Sequence, residues 1–316
     1  MAVWPRARAR RAYPRIRNWP AVAEVRALGF AGYKVGMSHA IVVDNRRRSP
    51  TKGEEIVMPI SIVECPPLRI VGLRLYGRGE GYGMTSLGER WATEGFPDLG
   101  RKLPLPKTVQ PFEKLEAALP AAQDVRLIVA TQPGLTGLGR KKPELFELGI
   151  GGPGPKEKFD WARERLGKEL PVRAVLREGL QVDVHGISKG HGLQGPVRRF
   201  GVMLRPHKAE KGRRGPATLG PWHPHHGQYR VARAGQTGLH QRFQHNAWII
   251  KLAEKPENPS GGWVHYGELR NAWLCLKGSL PGPAKRLVIL TEASRPAAGL
   301  PVEPPQIVSI SMRSKQ

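Results

Sequence analysis

Acidic residues, cysteines and long apolar runs are what this chain has least of. Only 26 Asp and Glu stand against 51 Lys and Arg, leaving a formal net charge of +25. Such an excess repels itself in a free monomer and seeks a polyanion, nucleic acid first and an anionic membrane surface second. Two cysteines, Cys65 and Cys275, each within a strand-like stretch, supply neither a disulfide framework nor a cysteine zinc site, so a reducing compartment is expected. No apolar run approaches the roughly 18 residues that a spanning helix needs. The first residues lack the apolar block of a secretory signal. The triplet Asn258-Pro259-Ser260 is barred from glycosylation by its proline. A soluble intracellular protein is the expectation. Sustained helical periodicity is scarce as well: 38 glycines and 30 prolines, spread along 316 residues, favour short strands joined by irregular loops. A composition this polar implies that part of the chain is ordered by a partner.

What is present is unevenly placed. "MAVWPRARARRAYPRIRNWP" holds six arginines and no acid, with Trp4, Tyr13 and Trp19 between prolines 5, 14 and 20. The prolines forbid a continuous helix, which argues against an amphipathic transit peptide and for an extended arm of guanidinium groups and flat rings. "HAIVVD" (39–44), "EIVMPISIVEC" (55–65) and "RIVGLRLY" (69–76) read as β-strands between turn-like clusters. "QPFEKLEAALPAA" and "KEKFDWARERLGKEL" read as helices around the strand "DVRLIVAT", the second with Phe159, Ala162, Leu166 and Leu170 on one face. In "GLQVDVHGIS", Leu180, Val182 and Val184 alternate with Gln181, Asp183 and His185, and strands resume. From Gly186 to about His245 no period persists. Between Val184 and Trp248 there are eleven Lys and Arg, the single acid Glu210, and eight of the ten histidines. A loop that long without its own core is functional or ordered by a ligand. "NAWIIKL", "GGWVHYG", "NAWLCLK" and "KRLVILTE" then return to short strands.

Three chemistries compete for "GPWHPHHGQYRVARAGQ" (220–236). His223, His225 and His226 are candidate metal ligands for an RNA-acting enzyme. Metal sites, however, add cysteine or carboxylate, and a dication among Arg213, Arg214, Arg230 and Arg233 is electrostatically costly. Catalysis has little else to build on. There is no Walker loop, "GRGEGYGM" misses the dinucleotide fingerprint, and Ser188, Asp183 and His191, though near one another in sequence, sit in no nucleophile elbow. Nucleic-acid binding uses every residue type present: cations for phosphates, glycines for close backbone approach, and His, Trp and Tyr for unpaired bases. RNA is favoured over DNA because no major-groove reading motif occurs.

Four stretches together, "GFAGYKVGMSHAI" (29–41), "VDVHGISKGHGLQGPVRRFGV" (182–202), "GPWHPHHGQYRVARAGQTGLHQR" (220–242) and "GGWVHYGELRNAWLCLKGSLPGPAKRLV" (261–288), closely resemble the universal large-subunit ribosomal protein L-three family in its archaeal and eukaryotic form. Order and spacing agree from about Gly29 to Leu290. The resemblance implies a mainly β fold: a six-stranded translation-protein-type β-barrel with an α/β insert and two RNA-penetrating extensions. The plan is then 1–28 basic extension, 29–95 first part of the barrel, 96–171 insert, 172–185 barrel, 186–246 basic central loop, and 247–316 last barrel part and tail. It further implies a non-catalytic constituent of the cytoplasmic large subunit, acting early in assembly, with its loop near the peptidyl transferase centre. Trp222, at the position of the family's tip tryptophan, would influence aminoacyl-tRNA accommodation, with tRNA contacted at most indirectly. Implied partners are large-subunit ribosomal RNA and the neighbouring L-fourteen and archaeal/eukaryotic L-twenty-four-type proteins. No cofactor is implied, structural Mg2+ being held by the RNA.

The RNA-binding residues expected on this reading are Arg6, Arg8, Arg10, Arg11, Arg15 and Arg17 in the arm. In the loop they are Lys189, His191, Arg198, Arg199, Arg205, Lys208, Arg213, Arg214, Arg230, Arg233 and Arg242, with Trp222, His223, His225 and His226 at the tip. Two departures stand out. Eukaryotic members carry a modifiable histidine about twelve residues before the tip tryptophan, where this chain has Glu210, so no modification is carried over. "HQRFQHNAWII" differs from the family's usual continuation, and no role is assigned to His245 or Asn246.

Overall fold

Strands dominate, as the scarcity of helical periodicity predicts. The computed structural model describes residues 5–79, 81, 83–92, 96–104, 111–209, 212–216, 218–223 and 225–313; Trp4 and Glu210 lie outside the described residues. The chain divides into a larger compact unit, Tyr13–Gly186 with Phe243–Gln316, and a smaller one, Met1–Ala12 with Ile187–Arg242. In chain order the strands are β1 (Gly29–Val43), β2 (Glu55–Glu64), β3 (Leu68–Arg78), β4 (Met84–Trp91), β5 (Ala122–Ala130), β6 (Leu145–Gly149), β7 (Glu169–Leu170), β8 (Gln181–Ile187), β9 (Gly190–Gln194), β10 (Gly235–Gly238), β11 (Gln241–Ala253), β12 (Trp273–Lys277), β13 (Leu287–Glu292) and β14 (Ile307–Ile310). Among the described residues three short α-helices accompany them: α1 (Glu113–Ala118), α2 (Pro155–Arg165) and α3 (Pro196–Phe200).

The main sheet of the larger unit runs β13-β8-β11-β12-β2-β1-β14, and β1 pairs with β13 as well, so the ladder returns to its first strand. β1 makes this possible by its length. Its first residues pair with β13 from Gly29↔Thr291 to Tyr33↔Leu287, and its later ones with β2 from Tyr33↔Glu64 to Val43↔Glu55. The β1–β2 register slips between Lys34 and Gly36, a bulge that bends a strand between partners. Sequence patterning placed a strand only at 39–44, because "GFAGYKVGM" offers few β-branched residues. Gly32 is small for a reason: a Cβ there would lie 2.5 Å from Val63 Cγ1 and 2.7 Å from the Glu64 carbonyl. Phe30, Val35, Ile60, Ile62, Trp248, Trp273, Leu274 and Leu276 are all buried in one core. Each such aliphatic or aromatic side chain contributes roughly 1.5–3 kcal/mol by leaving water.

The second sheet is antiparallel, in the order β4-β3-β5-β6, with β7 alongside β3. Residues 69–76 lie in this second sheet, where β3 pairs with β5. α2 buries Phe159 and Ala162 as its periodicity predicts. It stops at Arg165, however, so Leu166 caps it and Leu170 belongs to β7. The arm also divides. Tyr13 and Ile16 are buried, Tyr13 lies against Phe146 with ring centroids 6.3 Å apart, and Trp19 covers Gly149, where a Cβ would come within 2.5 Å of the indole. Arg15 and Arg17 alternate with these residues and stay exposed.

Two buried acids organise what the strands leave irregular. Glu64, fully buried, accepts hydrogen bonds from the Tyr266 hydroxyl, from Arg270 N at 2.9 Å, and from Asn271 N and Nδ2 at 3.0 and 2.8 Å. The Tyr266 bond ties "GGWVHYG" to Glu64, and this stretch is a turn closed by one Trp263–Gly267 bridge, not the short strand expected from the sequence. Asp183 lies on the polar side of the alternation in β8, yet β8 is buried on both faces. Its carboxylate accepts from Asn246 N at 2.9 Å and from Ser294 N and Oγ at 3.0 Å each. His185, on the same face, hydrogen-bonds Thr291 Oγ1 at 3.1 Å and lies tilted against Phe243, with ring centroids 4.3 Å apart. Burial, opposed by Asp183 and reinforced by His245, pushes its pKa down to about 4.

Candidate RNA interface

The smaller unit begins where the pattern of burial ends. Ile187 is buried, but of the residues that follow up to Arg242 only Pro196, Gly238 and His240 are buried among those described. Large apolar side chains remain in water: Leu193, Met203, Leu219, Trp222 and Tyr229 are exposed by 60–85%. Backbone bonds supply the order that side-chain packing does not. β9 and β10 form a hairpin from Gly235↔Gln194 to Gly238↔Gly190, within a stretch whose sequence shows no sustained period. Gly238 is required there, with φ at +72° and Lys189 O only 2.0 Å from where a Cβ would stand. Pro196 opens α3 and Gly201, in the left-handed conformation, ends it, so Arg198 and Arg199 fall in the last turn beside the exposed carbonyls.

The first residues of the chain are tied to this hairpin. Ala9 N donates to Leu239 O at 2.7 Å, and His240 Nδ1 donates to Ala7 O at 2.9 Å. Arg6 Nη1 donates to Arg199 O at 2.7 Å, and the Arg6 guanidinium stands 4.2 Å from the Phe200 ring centroid. Arg199 approaches the same ring at 5.0 Å while donating to Gln236 O and Arg233 O. Arg6 and Arg199, expected on phosphates, thus hold the unit together. Burial first, and Arg6 second, lower the Arg199 pKa. Phe200, Leu239 and His240, which sequence reasoning missed, complete the joint; an aromatic directly after two arginines is the one signal that could have found it.

Farther along, Arg205 N donates to Arg213 O at 3.1 Å, Arg213 Nε to Arg205 O at 2.9 Å, and Arg205 Nη2 to Pro216 O at 2.5 Å. Lys208 and Arg214 beside them are exposed, as are Arg8, Arg10, Arg11 and Lys189. His191 faces Arg198 Nη2 at 3.4 Å, and Arg242 donates to the carbonyl of Gln241. At the tip Trp222 is 82% exposed. His225 lies edge-on to both Trp222 and His223, with centroids 5.7 and 4.5 Å away, and His226 is exposed. Arg230 donates to the Tyr229 hydroxyl at 3.1 Å, and Arg233 covers Gly227. Cations and flat rings are therefore interleaved along an exposed backbone, an arrangement suited to phosphates and unpaired bases.

Other chemistry finds no comparable arrangement. Among the described residues no three His, Cys, Asp or Glu side chains group to hold a metal ion. Ser188 Oγ accepts the His240 amide at 3.1 Å, while Asp183 and His191 have the separate partners given above, so the three are not a triad. Among the described residues no helix is long and apolar enough to cross a membrane.

Comparison with known proteins identifies the family of the chain. The family model described as ribosomal protein L3 matches residues 1–309. The large ribosomal subunit protein uL3 of Methanothermobacter thermautotrophicus is 44% identical over 326 aligned positions, covering 100% of this chain and 96% of the relative. Those of Archaeoglobus fulgidus and Methanocaldococcus jannaschii are 42% and 44% identical, again over 100% of this chain and 96% of theirs. With a match over nearly its whole length, the chain belongs to the ribosomal protein L3 family.

Proposed function

We propose that the protein is a structural, non-catalytic constituent of the large ribosomal subunit, in the cytoplasm, where it binds large-subunit ribosomal RNA. The observation that carries this reading is the smaller unit, which joins fifteen Lys and Arg to one acid and leaves its backbone and aromatic rings in solvent. The six strands from β13 round to β1 serve as a translation-protein-type barrel that docks on folded RNA. The cationic segments then enter crevices whose phosphates otherwise repel one another. Lys189, Arg198, Lys208, Arg213, Arg214, Arg230, Arg233 and Arg242, with Arg8, Arg10, Arg11, Arg15 and Arg17, contact backbone phosphates. Trp222, His223, His225 and His226 pack among bases at the tip, near the peptidyl transferase centre. By this placement Trp222 influences aminoacyl-tRNA accommodation without touching the tRNA reaction, and the protein joins the subunit early. Neighbouring large-subunit proteins of the L-fourteen and L-twenty-four types border it, any structural Mg2+ belongs to the RNA, and no cofactor takes part.

The test is co-sedimentation of the tagged chain with large ribosomal particles through high-salt sucrose. Retention is the expected result; release into the supernatant with stoichiometric tightly held zinc would instead favour a metalloenzyme built on His223, His225 and His226.

A further inference from the structure

The turn joining β1 to β2 carries more internal order than a connection requires. Residues 45–53, "NRRRSPTKG", contain Arg46, Arg47, Arg48 and Lys52 and no acid. Asp44, buried at the end of β1, gathers the turn around its carboxylate. Oδ1 accepts Arg46 N at 3.0 Å and Arg46 Nε at 2.8 Å, and Oδ2 accepts Arg46 Nη2 at 2.8 Å and the Thr51 hydroxyl at 2.8 Å. Ser49 Oγ accepts from Arg46 Nη2 at 3.3 Å and stands 3.0 Å from Thr51 Oγ1. Gly53 N donates to Asp44 O at 2.8 Å and Asp44 N to Glu54 O at 3.0 Å, closing the loop's neck. The Arg46 guanidinium, against the opposing effect of burial, holds the Asp44 carboxyl far below the usual carboxylate range. The clasp is therefore charged at neutral pH.

One carboxylate cannot neutralise this turn. Asp44 is engaged with Arg46, while Arg47, Arg48 and Lys52 point into solvent, followed by the exposed Glu54 and Glu55. Lys277 on β12 adds a half-buried cation that feels Arg46, its pKa lowered by burial first and by that neighbour second. A flexible basic loop gives up backbone and side-chain freedom when it binds; a turn fixed beforehand gives up less. We propose that the Asp44-clasped turn is a preformed grip for RNA backbone phosphates, carried by the larger unit and using Arg47, Arg48 and Lys52. The inference rests on the RNA-binding reading above and adds to it a site that owes nothing to the smaller unit's cations. RNA is favoured over an acidic protein segment because a net charge of +25 selects the partner of highest charge density.

The test measures affinity of the full chain for an in vitro transcript of archaeal large-subunit ribosomal RNA across a salt series. R47A/R48A/K52A is expected to bind about tenfold more weakly, with a log–log salt slope shallower by about 2, three phosphates at roughly 0.7 each. D44N separates a clasp from simple attraction. It raises the net charge by one, so long-range attraction alone makes binding tighter, whereas loss of the clasp makes it about threefold weaker with little change in slope. S49A/T51A removes two members of the clasp without changing charge, and is expected to weaken binding in the same sense even if D44N fails to fold. Wild-type affinity in R47A/R48A/K52A, while R213A/R214A weakens, would overturn the proposal. So would loss of binding only to a polyglutamate peptide, or tighter binding by both clasp variants. If the wild-type chain shows no salt-dependent affinity for the transcript, the RNA-binding reading falls and the proposal with it.

Discussion

The two units solve the same problem of fixing a chain by opposite means. Segments Met1–Ala12 and Ile187–Arg242 carry fifteen Lys and Arg against one acid, whereas the rest of the chain carries 36 against 25. In the larger unit most acids find work inside the protein: Glu64 and Asp183 anchor irregular segments, and Arg74 and Arg126 share Glu147 across the second sheet. Burial then does the rest, at about 25 cal/mol per Å2 of apolar surface. The smaller unit has neither buried area nor counter-charge to spend. Its order comes from a hairpin, a capped helical turn and guanidinium groups set on Phe200, which leaves its remaining charges available to a polyanion. Stability and recognition are thus carried by different parts of the chain, and each can be tested by breaking one without the other.

The largest expected effect contrasts two tryptophans. Trp273 is fully buried, with its Nε1 donating to Lys255 O at 2.8 Å. Trp273→Ala should cost about 3–5 kcal/mol in denaturant unfolding, the range for a large aromatic removed from a core. Trp222→Ala, at a side chain 82% exposed, should change stability by less than about 0.5 kcal/mol. A comparable loss at both positions would erase the distinction between the units.

A smaller effect reads the larger unit through pH. His185 is buried, and its pKa falls from 6.5 to about 4. The unfolded chain therefore binds a proton before the folded one does. The neutral ring's contribution is complete above about pH 6.5 and is lost as pH falls through about 4, on the order of 3 kcal/mol in all. His185→Gln keeps a partner for Thr291 and removes the titration. Chemical denaturation of both proteins between pH 7 and 4 should show a shallower decline in the variant, and parallel curves would mean that the ring is solvated after all.

How far sequence reading reached follows the same division. Continuous apolar runs such as "RLVILTE" and "WLCLK" became strands, because burial of such runs is a local property of side chains. The division of charge and the exposed Trp222 were equally legible. What escaped were long-range pairings of polar groups. Nothing local tells that Asp183 in an alternating strand turns inward, that Glu64 gathers Tyr266, Arg270 and Asn271, or that Asp44 gathers Arg46 and Thr51. The hairpin of β9 and β10 escaped for a related reason. Its partners are some forty residues apart, its strands are glycine-rich, and backbone bonds rather than side chains define it.

The smallest effect tests whether the smaller unit holds itself together. Arg6 donates to Arg199 O and lies over Phe200, contacts worth about 1 kcal/mol together at a half-exposed site. Arg6→Ala leaves the larger unit's core untouched, so global unfolding should not move. Local protection should. The Ala9 amide, bonded to Leu239 O, is expected to exchange about fivefold faster in the variant, while amides of β12 keep the wild-type rate. Arg6→Lys retains the charge and loses the flat, forked geometry, and should recover only part of that protection. If both variants exchange as wild type does, Arg6 is a free cation and returns to the set of phosphate contacts. If exchange rises in β12 as well, the arm stabilises the larger unit, and the separation between a part that folds and a part that binds is weaker than the pattern of burial implies.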